Sequence, residues 1–449
     1  MALMKPSVSI RAEFKPLLSS ANIYIEFSRE LICVSSRVIV EQNKIIFLSG
    51  LANAEFILQS LTLKPETCRG LRWIGTQELQ LTLEAEWTEE GNKSRDVNSH
   101  KFNGGYQHIN QDLLVSRIQA CQSRCFCVGC GAQIFKPSCN FKRVLPLPSE
   151  NWSDFADIWF CHNHDGHGHG HTPEATSAPS VDHTRNRDLL PRPDDCLVSS
   201  LYMLVSSGQI KTGAVCNDKD KLICNRCGNF LGFVKRAKSS EVVAESPVSD
   251  SASDVYKVYY HAICFRQDSD KELLPKSLTP DDLNSDTEKK LLSEQTVEEF
   301  MCHLLRDQSH RFTSFRFIVD ASLQFEGQSG VIILLWLLDQ DLVVFSSASS
   351  TSSSSPLSSS PNASRSYSCS PCESMKLLYK ADFLSVNGCV DKQAPDVFKA
   401  WRKDNTVHSI SLPYPLCKQL LRLLITSTKK LSVSQRGLNG FHVGYLTAS

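Results

Sequence analysis

Leu79-Gln80-Leu81-Thr82-Leu83-Glu84-Ala85-Glu86-Trp87 alternates apolar and polar residues without interruption. Successive side chains of a strand point to opposite faces, so this period of two predicts a strand with one buried and one solvated face. The pattern recurs upstream at Val8, Ile10, Ala12 and Phe14, and again at Ile23, Ile25 and Phe27. Clusters of serine, asparagine and glycine separate the runs. Residues 1–87 are therefore expected to form an antiparallel β-domain, a sandwich or half-barrel. Nothing in it carries evident chemistry, so its expected role is scaffold or partner docking.

The C-terminal region mixes two periods. Thr296-x-x-Glu299 is a capping-box pattern, and Val297, Phe300, Met301, Leu304 and Leu305 follow at helical spacing. Phe315, Phe317 and Val319 alternate as a strand. Val331 to Leu338 is a continuous apolar run, as expected of a strand buried on both faces, and Asp339-Gln340-Asp341 is expected to turn it into Leu342-Val343-Val344-Phe345. Strands near 375–383 and 406–412, a helix over about 414–427 and a last strand near 440–447 complete a C-terminal α+β lobe, residues 291–449. The fold class that follows is α+β and β-rich, with disordered inserts.

Between these parts the composition shifts. Residues 88–120 are polar and rich in glycine and asparagine, and read as a mobile loop. Residues 121–235 are dense in cysteine and contain a loop near 163–192 rich in His, Gly, Pro and Asp. Residues 236–290 read as a solvated connector, and the Ser-rich stretch 346–372 as a disordered insert open to phosphorylation.

Bulk composition excludes some classes. Lysine plus arginine and aspartate plus glutamate both total 48, which gives no support to a protein that binds nucleic acid by neutralising phosphates. The opening MALMKPSVSI has an early proline and no sustained apolar run, so no signal peptide is expected. Val331–Leu338 is too short to span a membrane. The expected setting is a reduced compartment, the cytoplasm with the nucleus as an open alternative. The 18 cysteines are then metal ligands, nucleophiles or core residues rather than disulfides, and the sequons at Asn92 and Asn362 are idle.

The strongest chemical signal is a repeated knuckle. Cys127-Val128-Gly129-Cys130-Gly131 and Cys224-Asn225-Arg226-Cys227-Gly228 each place two thiols at the spacing that grips one Zn²⁺, followed by a glycine that lets the backbone turn behind them. Together they offer a tetrahedral Cys₄ site that would staple two remote parts of the middle region. Four protein ligands make a closed site, hence a structural one. A redox pair of cysteines at the same spacing is the competing reading, but neither knuckle opens an evident βαβ helix.

Arg143-Val144-Leu145-Pro146-Leu147-Pro148-Ser149-Glu150-Asn151-Trp152 and Trp159-Phe160-Cys161-His162 form a second constellation. Pro146 and Pro148 hold the chain extended, and Trp152, Trp159, Cys161 and His162 supply large aromatics and a soft nucleophile. Such a segment suits presentation to a partner. It equally suits a proline-rich loop pinned to the core by its tryptophans. The following Gly- and His-rich run to His171 is too flexible to hold a defined metal geometry.

These motifs, with the apolar run at 331–338 and Leu412-Pro413-Tyr414-Pro415-Leu416-Cys417, occur in one order. In that order they resemble the HECT-like family of ubiquitin-protein ligases that bind ubiquitin-conjugating enzymes. The resemblance implies a ubiquitin-protein transferase that takes ubiquitin from a conjugating enzyme and passes it to protein substrates, itself included. It implies Cys417 as the thioester-forming nucleophile, although Leu416 stands where the HECT element has threonine. It places conjugating-enzyme binding over about Glu299 to Val319, where Phe300, Phe315 and Phe317 also read as plain core residues. It further implies a second, non-enzymatic role. The segment containing Pro146, Pro148, Trp152, Trp159, Cys161 and His162 would plug the active site of a metallo-β-lactamase-type endonuclease of messenger-RNA 3′-end processing, inhibiting or chaperoning it. Here Phe160-Cys161 replaces the family's frequent Cys-Cys. From the residues alone, Cys417, Leu420, Leu421 and Leu424 share one apolar helical face, the pattern of a core cysteine.

Overall fold

The computed structural model describes residues 8–28, 36–49, 53–89, 91, 111–147, 190–218, 220–235, 254–266, 295–321, 330–347, 365–384 and 396–447. The chain divides into two compact units, Met1–Gln107 with Val297–Ser449, and His108–Thr296.

Strands of the first unit's N-terminal part are β1 (Val8–Lys15), β2 (Ser20–Phe27), β3 (Arg37–Val40), β4 (Lys44–Leu48), β5 (Asn53–Leu58), β6 (Leu61–Ile74) and β7 (Glu78–Trp87). The second unit holds helix α1 (Gln111–Cys121) and strands β8 (Cys125–Cys127), β9 (Arg143–Pro146), β10 (Asp195–Val198), β11 (Tyr202–Ser206), β12 (Val215–Asp218), β13 (Lys221–Cys224), β14 (Phe230–Lys235), β15 (Val255–Tyr259) and β16 (Ile263–Phe265). The first unit resumes with α2 (Val297–Phe312), β17 (Arg316–Asp320), β18 (Gly330–Ser346), β19 (Arg365–Cys369), β20 (Pro371–Leu384), α3 (Asp396–Lys403), β21 (Val407–Ser411), α4 (Tyr414–Lys429), β22 (Gly437–Leu438) and β23 (Phe441–Thr447). The protein is therefore β-rich with four helices among the described residues.

The first unit is built on a ten-stranded sheet of order β22-β23-β20-β18-β1-β2-β7-β6, with β17 added to β18 and β21 to β17. A four-stranded sheet, β19-β5-β4-β3, supplies Ile45, Phe47 and Phe56 to a core shared with Ile10, Phe14, Ile23, Leu81 and Leu83 of the larger sheet. Two sheets thus share one core, but residues 1–87 do not close it alone. β1 pairs antiparallel with β18, Arg11 opposite Ser346, and Val343 and Phe345 enter the same core. The N-terminal strands and the C-terminal lobe, read from sequence as separate parts, are one unit.

Glu13 binds that junction. It is 1 % exposed and accepts hydrogen bonds from Arg11 Nη1 at 2.7 Å, from Lys376 Nζ at 2.8 Å and from the Tyr445 hydroxyl, joining β1, β20 and β23. Burial pushes its carboxyl up, but Lys376 and Arg11 outweigh burial and hold it below the usual carboxylate range.

In the second unit a seven-stranded sheet runs β12-β13-β14-β15-β11-β10-β9, and β8 pairs with β16. β14 and β15 approach so closely that a Cβ on Gly232 would lie 1.7 Å from the Lys257 carbonyl oxygen. Only glycine fits there.

Several sequence expectations are corrected. Asp339-Gln340-Asp341 does not turn the chain: β18 runs through it as one strand of 17 residues, its register against β20 shifting on either side of Asp339. Pairing along both halves of β20 holds the polar triplet extended, and the mismatch is absorbed by the irregularity. The region 88–120 contains α1, whose Ile118 and Cys121 are buried. The region 236–290 contains β15 and β16. These are buried on both faces and so lack the alternation that marks a half-buried strand. The Ser-rich region 346–372 contains β19, which pairs parallel with β5.

Candidate functional site

Both cysteine knuckles are hairpin tips of the second unit. Cys127 ends β8, and Cys224 ends β13 just before the chain returns as β14. Their backbones close in the same way. The Gly131 amide donates to the Cys127 carbonyl at 2.8 Å, and the Gly228 amide to the Cys224 carbonyl at 2.9 Å. The Cys127 amide donates to Ala132 and the Cys224 amide to Asn229, each at 2.8 Å. Gly131 and Gly228 both adopt positive φ, +66° and +72°, which is the backbone freedom expected of the two glycines.

This geometry turns all four thiols toward one point. Their sulfurs lie within 4.8 Å of one another. Cys127 Sγ is 3.7 Å from Cys227 Sγ, and Cys130 Sγ is 3.6 Å from Cys224 Sγ. Four sulfurs about 2.3 Å from a tetrahedral Zn²⁺ would stand about 3.8 Å apart, so the donor set fits that ion. Among the described residues no other group of three or more His, Cys, Asp or Glu side chains gathers in this way.

The electrostatics favour a cation. Burial raises the Cys127 thiol, and the neighbouring Cys224, Cys130 and Cys227 sulfurs raise it further, because adjacent thiolates repel. Burial also raises Cys130. At Cys224 burial acts upward too, but the Cys227 and Arg226 amides pointing at its sulfur outweigh it, and the thiol is held below its ordinary value. Asn229 Nδ2 lies 3.7 Å from Cys127 Sγ. With all four positions taken by protein, such a site can cross-link but offers no open position for substrate.

The other predicted site residues that are described, Pro146 and Cys417, are not gathered there. Arg143–Pro146 is β9, the outermost strand of the seven-stranded sheet, parallel to β10. Arg143 grips Asp195 with Nε at 3.1 Å and Nη2, while Val144 and Leu147 are buried and Pro146 is exposed. Pro148, Trp152, Trp159, Cys161 and His162 lie outside the described residues.

Cys417 is described and lies in the core. It sits in the first turn of α4 on a face with Leu416, Leu420, Leu421 and Leu424, and is 0 % exposed. α4 is held against β23 where Gly444 leaves room for Leu424, and Thr428 donates to the Val443 carbonyl. The Cys417 thiol lies 3.6 Å from the Leu412 carbonyl oxygen, and burial pushes it up to about 12. A thiol of that kind is neither accessible nor ionised at neutral pH, so in this conformation it does not meet the needs of the expected nucleophile.

The segment expected to bind a conjugating enzyme divides. Phe300 and Phe317 are core, as are Met301, Leu305 and Val319, whereas Phe315 is 53 % exposed. Phe312 is also exposed and stacks on His408 with ring centroids 3.6 Å apart. Leu17 and Leu18, which carried no sequence signal beyond interrupting the alternation after Pro16, are at 86 % and 69 % among the most exposed large apolar residues.

The chain as a whole has recognisable relatives. A family profile described as HECT-like Ubiquitin-conjugating enzyme (E2)-binding matches residues 13–443. An E3 ubiquitin-protein ligase of Mus musculus, named as type D of its class, is 26 % identical over 387 residues, covering 86 % of this chain and 83 % of the mouse protein. Its Homo sapiens counterpart is 26 % identical over 405 residues, covering 86 % and 84 %. An uncharacterised Saccharomyces cerevisiae protein is 25 % identical over 108 residues, 24 % of this chain and 28 % of its own. No solved structure gives a significant match.

Proposed function

The chain belongs to the HECT-like ubiquitin-conjugating enzyme (E2)-binding family, and from that premise we propose that it is a ubiquitin-protein ligase. It holds a charged conjugating enzyme and speeds passage of ubiquitin to lysines of protein substrates, itself included. The observation that carries this reading is the extent of the family match, residues 13–443. That span takes in both knuckles and the C-terminal element.

The buried Cys417 favours transfer straight from the conjugating enzyme's thioester to the acceptor amine. In that step the lysine nitrogen attacks the thioester carbonyl, the carbon–sulfur bond breaks, and the thiolate leaves on the conjugating enzyme while the amine loses a proton. The ligase supplies proximity and orientation rather than a nucleophile. Zn²⁺ held by Cys127, Cys130, Cys224 and Cys227 would supply a rigid cross-link and take no part in the transfer.

The test is a reconstituted reaction of activating enzyme, a panel of conjugating enzymes, ubiquitin and ATP. Lysine-linked conjugates that need this chain support the reading, and their absence with every enzyme of the panel refutes it.

One observation favours a second reading, inhibition of the metallo-β-lactamase-type endonuclease of messenger-RNA 3′-end processing. The proline-tryptophan motif starts on the outermost strand of its sheet, where Val144 and Leu147 are buried but Leu145 is 39 % exposed and Pro146 faces solvent. Under this reading Cys161→Ala abolishes capture of the nuclease and leaves ubiquitin transfer intact. Capture undiminished by the substitution would remove Cys161 from that role.

A further inference from the structure

The turn between β1 and β2 is a short 3₁₀ segment, Pro16–Leu18, that buries none of its residues. Proline restricts its entry, and Ser19 leaves it with φ +46°, so the turn is stiff. It holds Leu17 and Leu18 in solvent, 86 % and 69 % exposed. Phe315, 53 % exposed, and Leu338, 40 % exposed, lie beside them. These four side chains line one groove of about 270 Å³ in the first unit. Four large apolar side chains converging on one open groove are costly to leave in water and mark a contact site.

The groove walls are fixed. The Leu337 amide donates to the Phe315 carbonyl at 2.7 Å, tying the approach to β17 against β18. The register shift in β18 places Asp339 and Asp341 along the rim. Each carboxylate has one basic neighbour, Lys15 at 3.7 Å and Arg306 at 3.5 Å. Both separations exceed an ordinary hydrogen bond, and all four side chains keep partial solvent exposure, so the pairs are weak and open to exchange with another cation.

We propose that this groove is where the ubiquitin-conjugating enzyme docks, an assignment that rests on the family reading above. The enzyme inserts an apolar side chain between Leu17, Leu18, Phe315 and Leu338, and a flanking lysine or arginine engages Asp339 and Asp341. This chemistry separates the groove from the other exposed apolar residues of the unit. Val433, for example, is 80 % exposed but does not line it.

The test measures binding of uncharged, purified conjugating enzymes to the full chain by biolayer interferometry. The enzyme of the panel that binds wild type best is then titrated against variants whose circular dichroism and melting match wild type. Leu17→Ser/Leu18→Ser and Phe315→Ala each weaken it about tenfold or more, as expected of apolar anchors at the centre of an interface. Asp341→Asn weakens it less, and its effect shrinks as salt is raised. Val433→Ser leaves affinity unchanged. Wild-type affinity in the double leucine variant overturns the docking assignment while leaving the ligase reading standing. Loss of a dimer in light scattering, with enzyme binding unchanged, assigns the groove to self-association and overturns it too. A wild-type chain that binds no enzyme of the panel overturns the ligase reading and the groove together.

Discussion

Emptying the four-cysteine site, proposed to hold Zn²⁺, is predicted to unfold the second unit selectively. The two knuckles lie 100 residues apart when measured from Cys127 to Cys227, and 94 from Cys130 to Cys224. A cross-link closing a loop of about 100 residues takes about 4.7 kcal/mol of chain entropy out of the unfolded state. Domain stabilities run to about 5–15 kcal/mol, so losing that contribution removes a third to nearly all of it. The knuckles also end β8 and β13, so the loss propagates into β14 and β15, which build the centre of that unit's sheet. Hydrogen exchange with mass spectrometry resolves the effect by segment. On chelation, or in Cys127→Ser, amides of β13, β14 and β15 are expected to exchange about a thousandfold faster, the equivalent of about 4 kcal/mol of lost protection. Amides of β1, β2 and β18 in the other unit keep their protection. The double variant Cys127→Ser/Cys224→Ser adds little to the single one, because either change already opens the cross-link. Wild-type protein that binds one equivalent of zinc, yet keeps full protection of β13–β15 after chelation, would refute the reasoning.

Three further outcomes follow from single residues. Glu13→Gln leaves the Arg11 and Lys376 cations without their carboxylate and costs about 3 kcal/mol in urea unfolding. Because Glu13 is held below its ordinary value, it contributes stability above the unfolded carboxylate value of about 4.3, which is lost as pH falls through the lower folded value. The variant's deficit should therefore shrink in acid, and a deficit constant from pH 7 to pH 3 contradicts the role. In native protein treated briefly with iodoacetamide, the exposed Cys216 and Cys372 are alkylated and Cys417 is not, whereas rapid labelling of Cys417 would place it outside the core. Gly232→Ala drives a methyl group into the Lys257 carbonyl and costs about 3 kcal/mol, read as a lower melting transition of the second unit; a wild-type melt would mean that β14 and β15 separate easily.

How much could be read from the residues depended on whether a signal was local. The period of two at Leu79–Trp87, the apolar run at Val331–Leu338 and the helical face of Cys417, Leu420, Leu421 and Leu424 each survive as β7, β18 and α4. They do so because strand and helix periodicity acts within a few residues. The partner of β1 was not legible. Arg11 and Ser346 meet across more than three hundred residues, and alternation says which face is buried without saying what covers it. β19 escaped notice because Arg365-Ser366-Tyr367-Ser368-Cys369 offers little hydrophobic pattern and is stabilised by pairing along β5. The eight residues of α3 carry a clear apolar face only at Phe398 and Trp401, too few to count as a repeat. Chemistry followed the same rule. The knuckle glycines announced the four-cysteine centre because turn geometry is local. The exposure of Leu17 and Leu18, and the burial of Cys417, depend on the whole first unit. The helical pattern favours a core cysteine, the family element favours a nucleophile, and packing of α4 against β23 sides with the former.

The most direct test of the proposed transfer is a single-turnover discharge experiment. A conjugating enzyme charged with labelled ubiquitin is mixed with wild-type chain or Cys417→Ala, without activating enzyme, and followed on reducing and non-reducing gels. Both proteins are predicted to hasten discharge onto lysine at the same rate, with no thiol-sensitive ubiquitin adduct on the chain. An adduct that forms on wild type, collapses on reduction and is missing from Cys417→Ala would contradict direct transfer, restoring Cys417 as the nucleophile and requiring the N-terminal turn of α4 to open during the reaction.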